Sequence, residues 1–223
     1  MTRSELRQRI LEALNESATN PVFFSTGQID SIIDEGAEIL SEEANAVKRT
    51  AFVSLMEGTT YFYIRGIAQD MMAPYRLWLT HLDRRLTAVS LYDLDARNEN
   101  WIETTGDPEY WFSVSWDLFG IWPSPATGGD LLRIDYLAWP QTLLDDGDEP
   151  EFQLGDHDAV VDYGVYDGLA KRWDVARMLE VWSRFGARVG FSRARTGAGR
   201  VQARSFRTGQ ADEDAGFTSG VTR

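Results

Sequence analysis

Gly106-Asp107-Pro108-Glu109-Tyr110-Trp111-Phe112-Ser113-Val114-Ser115-Trp116-Asp117, then Leu118-Phe119-Gly120-Ile121-Trp122-Pro123-Ser124-Pro125, a Gly128-Gly129 pair and Leu132-Arg133-Ile134-Asp135-Tyr136, is the stretch that decides the fold. Tyr110, Phe112, Val114 and Trp116 fall on one face at period two, opposite Trp111, Ser113, Ser115 and Asp117. Leu132, Ile134, Tyr136 and Ala138 alternate with Arg133, Asp135 and Leu137 in the same way. Prolines cannot donate to a ladder, so Pro123 and Pro125 belong in the connection, and the pattern predicts a β-hairpin from Tyr110 to Tyr136. Five of the eight tryptophans (Trp101, Trp111, Trp116, Trp122, Trp139) lie in or beside it, which makes it either a sheet core or a surface for a partner. Aromatics on both faces, at Trp111 and at Trp116, imply that the second face is covered too, by helices or by another subunit.

On the N-terminal side the period is helical. Thr2 with Glu5 forms a capping box ahead of Leu6, Ile10, Leu11 and Leu14, a first helix of about four turns stopped at Asn20-Pro21. Ser25 with Gln28 forms a second box, with Phe24 placed to staple against Ile29, and Ile29, Ile32, Ile33, Leu40, Ala44 and Val47 carry a second helix to about Lys48. The segments 51–55, 60–64 and 75–80 are β-branched or aromatic and read as strands, with Arg84 to Leu91 as a further short one. Asp93 to Glu109 reads as polar loop. On the C-terminal side Asp156 caps a long helix in which Val160, Val161, Val165, Leu169, Trp173 and Ala176 recur to about Arg188. Gly164 and Gly168 share a face of it, at about 1 kcal/mol each against alanine, a cost that close approach of another element would offset. The expected class is α+β: a helical bundle built from both chain ends, an inserted antiparallel β-sheet region and an extended C-terminal tail. The expected division is 1–48 for the helix pair, 49–144 for the inserted β region, 145–190 for the acidic linker and closing helix, and 191–223 for the Arg/Gly-rich tail.

Composition narrows the function classes. The chain has 223 residues, 43% of them hydrophobic, enough for a real core, and no cysteine, which removes disulfides, thiolate metal sites and cysteine nucleophiles together. No segment approaches the roughly 18 apolar residues of a membrane span, so a membrane partner is not expected. The net charge is −13, yet Val181 to Ala211 holds seven arginines and no acid, while Leu144 to Asp158 holds seven acids and no base. A polyacidic body repels phosphate, so only the arginine segment suits an anionic partner.

Catalytic constellations are thin. The two histidines are His81, near a strand end, and His157, between Asp156 and Asp158 at a helix start, where neighbouring side chains diverge and the acids serve as caps. The acids between 145 and 151 lack the order of a calcium loop. Gly197-Ala198-Gly199-Arg200 lacks the lysine of a phosphate loop, and no serine sits in a nucleophile elbow. No catalytic residue, cofactor or metal is expected.

The order of parts resembles the head-to-tail adaptor (head completion, connector) proteins of tailed bacteriophages. The resemblance lies in the N-terminal pair opened by Leu6-x-x-x-Ile10-Leu11 and Phe23-Phe24-Ser25-Thr26, in Gly106-x-Pro108-x-Tyr110, in Leu118-Phe119-Gly120-Ile121-Trp122-Pro123-x-Pro125, in Leu132-x-Ile134-x-Tyr136 ending at Pro140, in Phe152-Gln153-Leu154 and in the helix beginning Asp158-Ala159-Val160-Val161, over about residues 1 to 190. It implies a non-enzymatic ring, dodecameric in the family, between the portal protein and the tail or its terminator or nozzle protein. Double-stranded DNA would pass through it without sequence-specific binding. The place implied is the virion neck, after synthesis in the host cytoplasm. Two contact regions are expected on physical grounds. Arg193, Arg195, Arg200, Arg204, Phe206, Arg207 and Phe217 form a tail that docks on the portal or a neighbouring subunit, arginine forks pairing with carboxylates. Trp122, Pro123, Pro125, Gly128 and Gly129 form a preshaped loop facing the tail side or a neighbour. The competing readings are a carbohydrate-binding or hydrolytic β protein of a phage tail, with exposed tryptophans as stacking platforms, and a regulatory or chaperone-like cytosolic protein.

Overall fold

The structure, a computed structural model, describes residues 1–17, 21–97 and 100–196. In chain order the elements are α1 (Arg3–Ala13), α2 (Thr26–Ala44), β1 (Lys48–Ser54), β2 (Tyr61–Tyr63), α3 (Ile64–Ile67), β3 (Met71–Leu79), β4 (Arg84–Arg85), β5 (Thr87–Ala88), α4 (Leu91–Arg97), a 3-10 turn (Trp101–Glu103), β6 (Thr105–Gly106), β7 (Tyr110–Ser113), β8 (Leu118–Trp122), β9 (Ser124–Pro125), β10 (Leu131–Ala138), α5 (Leu154–Lys171) and α6 (Val175–Thr196). The protein is α+β: helices from both chain ends pack together, and the strands lie between them in sequence.

Both N-terminal helices start where the sequence says. Thr2 and Glu5, and Ser25 and Gln28, each form complete capping boxes. The first helix is shorter than expected, ending at Ala13, and the second stops at Ala44 because Asn45 adopts the left-handed conformation at φ 49°. The paired glycines of α5 are contact points. A Cβ on Gly164 would lie 2.5 Å from Ile10 Cδ1, and one on Gly168 would lie 2.6 Å from Leu14 Cδ1, so α1 sits directly on the glycine face of α5. Gly36 of α2 meets the Tyr163 ring at 2.8 Å in the same sense.

The strands correct the hairpin. β7 pairs with β8, Tyr110 opposite Trp122 and Ser113 opposite Phe119, closed by Val114 N–H donating to the Leu118 carbonyl at 3.0 Å. Tyr136 is not on the return strand. β10 instead lies between β1 and β3 in a separate sheet of order β1-β10-β3-β4, while β7 and β8 belong to a sheet of order β2-β8-β7-β5. The reason is physical. Leu132, Ile134, Tyr136, Leu137 and Ala138 are all buried, so β10 needs a central position, and the seven residues of β1 and nine of β3 offer a longer ladder than the four of β7. Pro123 and Pro125 cannot extend β8, and the chain there pairs β9 with β6 in parallel.

The two faces of β7 are both covered, as the aromatics imply. Trp111 enters the main core, whereas Phe112 enters a small second cluster with Leu94 and Trp101, the Trp101 and Phe112 rings meeting edge to face at 5.2 Å. Gly120 is required beneath that ring: a Cβ there would lie 2.3 Å from Phe112 Cζ. Trp116, by contrast, is exposed in the β7–β8 turn.

The closing helical segment is two helices. The apolar period that runs through Trp173 hides a turn, in which Trp173 takes φ 61° and is 87% exposed. Asp174 then starts α6, its carbonyl accepting from Met178 N–H at 3.0 Å and its side chain accepting from Arg177 N–H at 3.4 Å. Asp156 is not the cap of α5. Gln153 holds that position, and Asp156 lies buried in the first turn. The region 84–109, expected as one strand and a loop, holds β4, β5, α4, the 3-10 turn and β6.

Candidate functional site

The arginine run and the acid run meet. α6 packs antiparallel on α5, so arginines four apart on one helix face carboxylates four apart on the other. Arg184 pairs with Asp162 at 2.7 Å, Arg188 with Asp162 at 2.6 Å and with Asp158 at 3.3 Å, and Arg195 with Asp156. Arg193 reaches across to Glu43 of α2 at 3.6 Å. Asp156 and Asp162 are buried while their partners are half-exposed, so the carboxylates are held inside by guanidinium groups that keep one side in water. The hydrogen bond to Asp162, with burial opposing it, raises the Arg184 pKa above its ordinary value. From the N-terminal half of the chain, Arg7 bonds Asp30 and Asp146, Arg9 pairs at 2.7 Å with Asp158, which it shares with Arg188, and Arg49 of β1 joins Asp70 to Glu151. α1 and α6 are therefore both fastened by charge to α5, and α1 to the acidic linker as well.

The tail begins from a fixed root. Arg193 and Arg195 belong to the last turn of α6 rather than to an extended segment, and Thr196 donates its Oγ1 hydrogen to the Ala44 carbonyl at 2.7 Å. Lys48 Nζ donates to the Thr196 carbonyl at 2.8 Å. Arg200, Arg204, Phe206, Arg207 and Phe217 lie outside the described residues.

The second region is laced back on the sheets. The Trp122 indole N–H donates to the Trp101 carbonyl at 2.7 Å and its ring packs on Tyr110 at 5.4 Å. Ser124 Oγ donates to the Thr104 carbonyl at 3.1 Å, and the Pro125 carbonyl accepts from Gly58 N–H at 2.9 Å. Ser124 and Pro125 are buried, Trp122 and Pro123 half-buried, and the exposed tip is Ala126 to Gly129. Gly129 makes the return at φ 102°, and its N–H donates to the Leu55 carbonyl at 2.9 Å. The structure does not bring the two regions together: one roots at Lys48 and the other at Leu55, and the seven residues of β1 place them about 23 Å apart.

Asp156, His157 and Asp158 diverge, as expected for neighbours on a helix, but into partners rather than caps. Asp156 meets Arg195, Asp158 meets Arg9 and Arg188, and His157 is buried with its Nδ1 accepting from the Met1 amine at 2.8 Å and its Nε2 facing the Phe152 carbonyl at 3.2 Å. Burial, reinforced by the Met1 ammonium, pushes the His157 pKa down. Among the described residues no group of three or more His, Cys, Asp or Glu side chains is placed to hold a metal, and no helix is long and apolar enough to cross a membrane.

Two features escaped the sequence. Asp135, in mid-sheet, is 2% exposed and accepts from Thr50 Oγ1 at 2.8 Å, Arg76 Nε at 2.5 Å and Arg133 Nε at 3.0 Å; burial alone would raise its pKa, and these bonds together lower it. The other is an exposed apolar stripe on α6, within which only the Trp182 ring is seen to rest on α5, against Tyr166 at 4.7 Å. At 100° per residue Val175, Leu179, Trp182, Gly186 and Gly190 share one face, with Val175, Leu179 and Trp182 exposed and nothing within 4 Å of a Cβ on either glycine. The signal lay in the sequence at three- and four-residue spacing, masked by treating the segment as the end of one helix.

A family model described as SU10 adaptor protein matches residues 1–212 of the chain. No curated protein matches it.

Proposed function

Because the chain belongs to the SU10 adaptor protein family, a phage head-to-tail adaptor family, we propose that it forms a non-enzymatic ring between portal and tail. Membership makes it a structural phage protein of the virion neck whose contacts are with head and tail components. The ring, dodecameric by analogy with the family, the portal as its head-side partner and the passage of double-stranded DNA through its lumen are the finer reading. The observation that carries the ring is the α6 stripe: an apolar ridge of Val175, Leu179 and Trp182 ending in two open glycines suits a closely packed copy of another subunit. The acidic excess suits the lumen, since an acidic wall lets a duplex slide where an arginine wall would hold phosphates.

Four of the seven arginines, Arg184, Arg188, Arg193 and Arg195, are paired within the chain, so docking of the tail on an acidic groove falls to Arg200, Arg204 and Arg207, with Phe206 and Phe217 as apolar anchors. The 122–129 loop presents only its Ala126–Gly129 tip, which we assign to the tail side or a neighbour. The carbohydrate reading is disfavoured at Trp122, whose ring is half-buried and packs on Tyr110 at 5.4 Å.

Sedimentation and native mass measurement of the protein alone and mixed with its portal test this. The expected result is a monomer or weak oligomer alone, because the acidic bodies repel, and a closed ring on the portal. A mixture in which no ring forms, at any salt concentration, contradicts the proposal.

A further inference from the structure

The four-stranded sheet buries Leu77, Leu79, Leu132 and Ile134 on one face and turns the alternate residues to the other. Across that second face the register lines up Phe52 of β1, Arg133 of β10, Trp78 of β3 and Arg85 of β4, a row about 14 Å long in which rings and guanidinium groups alternate. Phe52 and Arg85 are exposed, Trp78 and Arg133 half-buried. In the next row Thr50, Asp135 and Arg76 stand opposite one another, and the buried Asp135 carboxylate accepts from Thr50 Oγ1 and from the guanidinium groups of Arg76 and Arg133. One carboxylate thus holds two arginines side by side, with a positive charge to spare and both Nη1 groups unbonded among the described residues. Asp83 takes the Trp78 indole N–H at 3.1 Å and steadies that ring.

The same chain carries the complement. Between β10 and α5, Leu144-Asp145-Asp146-Gly147-Asp148-Glu149 forms a tight acidic loop, the Asp148 carboxylate accepting from the Leu144 and Asp145 N–H groups at 2.8 Å each. Arg3 N–H donates to the Asp148 carbonyl at 2.8 Å and Ser4 N–H to the Asp146 carbonyl at 3.1 Å, which fastens the loop to the head of α1. Leu144 is left 77% exposed beside the exposed carboxylates of Asp145 and Glu149. Loop and sheet face do not cover each other within one chain, because Leu144 and Phe52 are both open to solvent.

We propose that the acidic loop of one copy docks on the Phe52–Arg133–Trp78–Arg85 face of the next, Leu144 against Phe52 and the loop carboxylates against the guanidinium pair that Asp135 holds. This contact presupposes the ring proposed above and supplies part of its subunit interface. A second copy is favoured over nucleic acid by charge and shape of chemistry together. Copies of net charge −13 approach only where opposite patches meet, and the loop offers an apolar side chain along with its carboxylates, matching a row that interleaves rings with arginines. Both patches are preshaped, the loop by its bonds to α1 and the arginines by Asp135, so little freedom is lost on docking. The two patches are different surfaces, so the contact is head-to-tail and repeats from copy to copy, generating a ring when the rotation closes. The α6 ridge is a separate surface with its own test.

The chain has no cysteine, so single cysteines report the contact cleanly. Full chains carrying Phe52→Cys or Leu144→Cys, both altered at exposed positions, are mixed, oxidised mildly alone and on a portal ring, and their disulfides mapped. The expected result is a link between positions 52 and 144 about fivefold or more above either homodisulfide. Adding Asp145→Lys to the Leu144→Cys chain should lower that link about tenfold, although it lessens the overall repulsion between copies. Yields no greater than random pairing overturn the proposal, and a ring that sediments on the portal without the link does so while leaving the ring itself standing. A link unmoved by Asp145→Lys refutes the charge pairing. Fluorescence anisotropy with a labelled DNA duplex tests the other occupant: binding by the wild type that Arg85→Glu abolishes assigns the face to nucleic acid and overturns the contact.

Discussion

Replacing Gly186 and Gly190 by alanine separates the stability of this protein from its assembly. Both glycines sit inside α6, where glycine costs about 1 kcal/mol against alanine, and a Cβ on either meets nothing within 4 Å. The double variant should therefore be more stable by about 2 kcal/mol, which for a chain of this length raises Tm by about 4–8 °C. The same change at Gly164 and Gly168 must push Ile10 and Leu14 away from contacts of 2.5 Å and 2.6 Å. Overpacking costs about 1–3 kcal/mol per site, and with Ile10 and Leu14 fully buried the upper part of that range applies, which exceeds the helix gain of about 1 kcal/mol. Thermal melting followed by circular dichroism distinguishes the pairs: an upward shift for Gly186→Ala with Gly190→Ala and a downward one for Gly164→Ala with Gly168→Ala. Melting shifts of the same sign would refute the argument that one glycine pair is covered and the other open. Assembly on a portal ring is the second assay. If the α6 stripe is the subunit contact, the stabilised Gly186/Gly190 variant should form fewer rings than the wild type, whereas undiminished yield removes α6 as the interface.

The His157 pKa is lowered by burial, so the unfolded imidazole takes up a proton that the folded one refuses; stability present above about pH 6.5 should be lost as pH falls below it, and His157→Gln should flatten that slope in urea titrations at pH 7, 6 and 5. Asp162→Ala leaves Arg184 and Arg188 without their shared carboxylate; because both guanidinium groups are half-exposed, the expected loss is about 1–2 kcal/mol rather than the 3–5 kcal/mol of a fully buried pair, read from the urea midpoint. Trp122→Ala removes the bond to the Trp101 carbonyl and part of the packing around Tyr110, and should cost about 2–3 kcal/mol by the same measurement, so a contact role for this loop is better tested at Thr127 on its exposed tip. Ending the chain at Gly190 removes Arg193, Arg195, Thr196 and the buried Ser192, and should lower Tm by several degrees; ending it at Thr196 should leave the helical core unchanged in melting.

Signals that act within one turn or one helix face were legible in the sequence. The capping boxes at Thr2 and Ser25 need only residues three apart, and Gly164 and Gly168 declared a close contact by their spacing, although not that Ile10 and Leu14 would fill it. Pairing between strands was not legible in the same way. Alternation marks β10 as a strand but is equally satisfied by β7, β1 or β3; what selects the last two is ladder length and the burial of Leu137 along with Leu132, Ile134 and Tyr136, both properties of the assembled sheet. The break at Trp173 escaped for a related reason, since an apolar residue at helical spacing looks the same whether it is buried or, as here, turned into solvent.

The charge pattern shows how much a single topological fact adds. Seven arginines without an acid read as a docking segment for as long as Asp156 to about Arg188 is taken to be one helix, because that helix cannot then fold back to set its own acids against them. Once the turn at 172–174 folds α6 back along α5, Arg184 and Arg188 come opposite Asp162 and Asp158 by simple antiparallel register, and Arg195 reaches Asp156 in the first turn of α5. The first four arginines of the run then hold the bundle together, which leaves the proposed docking on a partner to Arg200, Arg204 and Arg207. The last described turn of α6 also meets the head of β1, Thr196 bonding Ala44 and Lys48, so a force applied at Thr196 acts on the junction of helices and sheet.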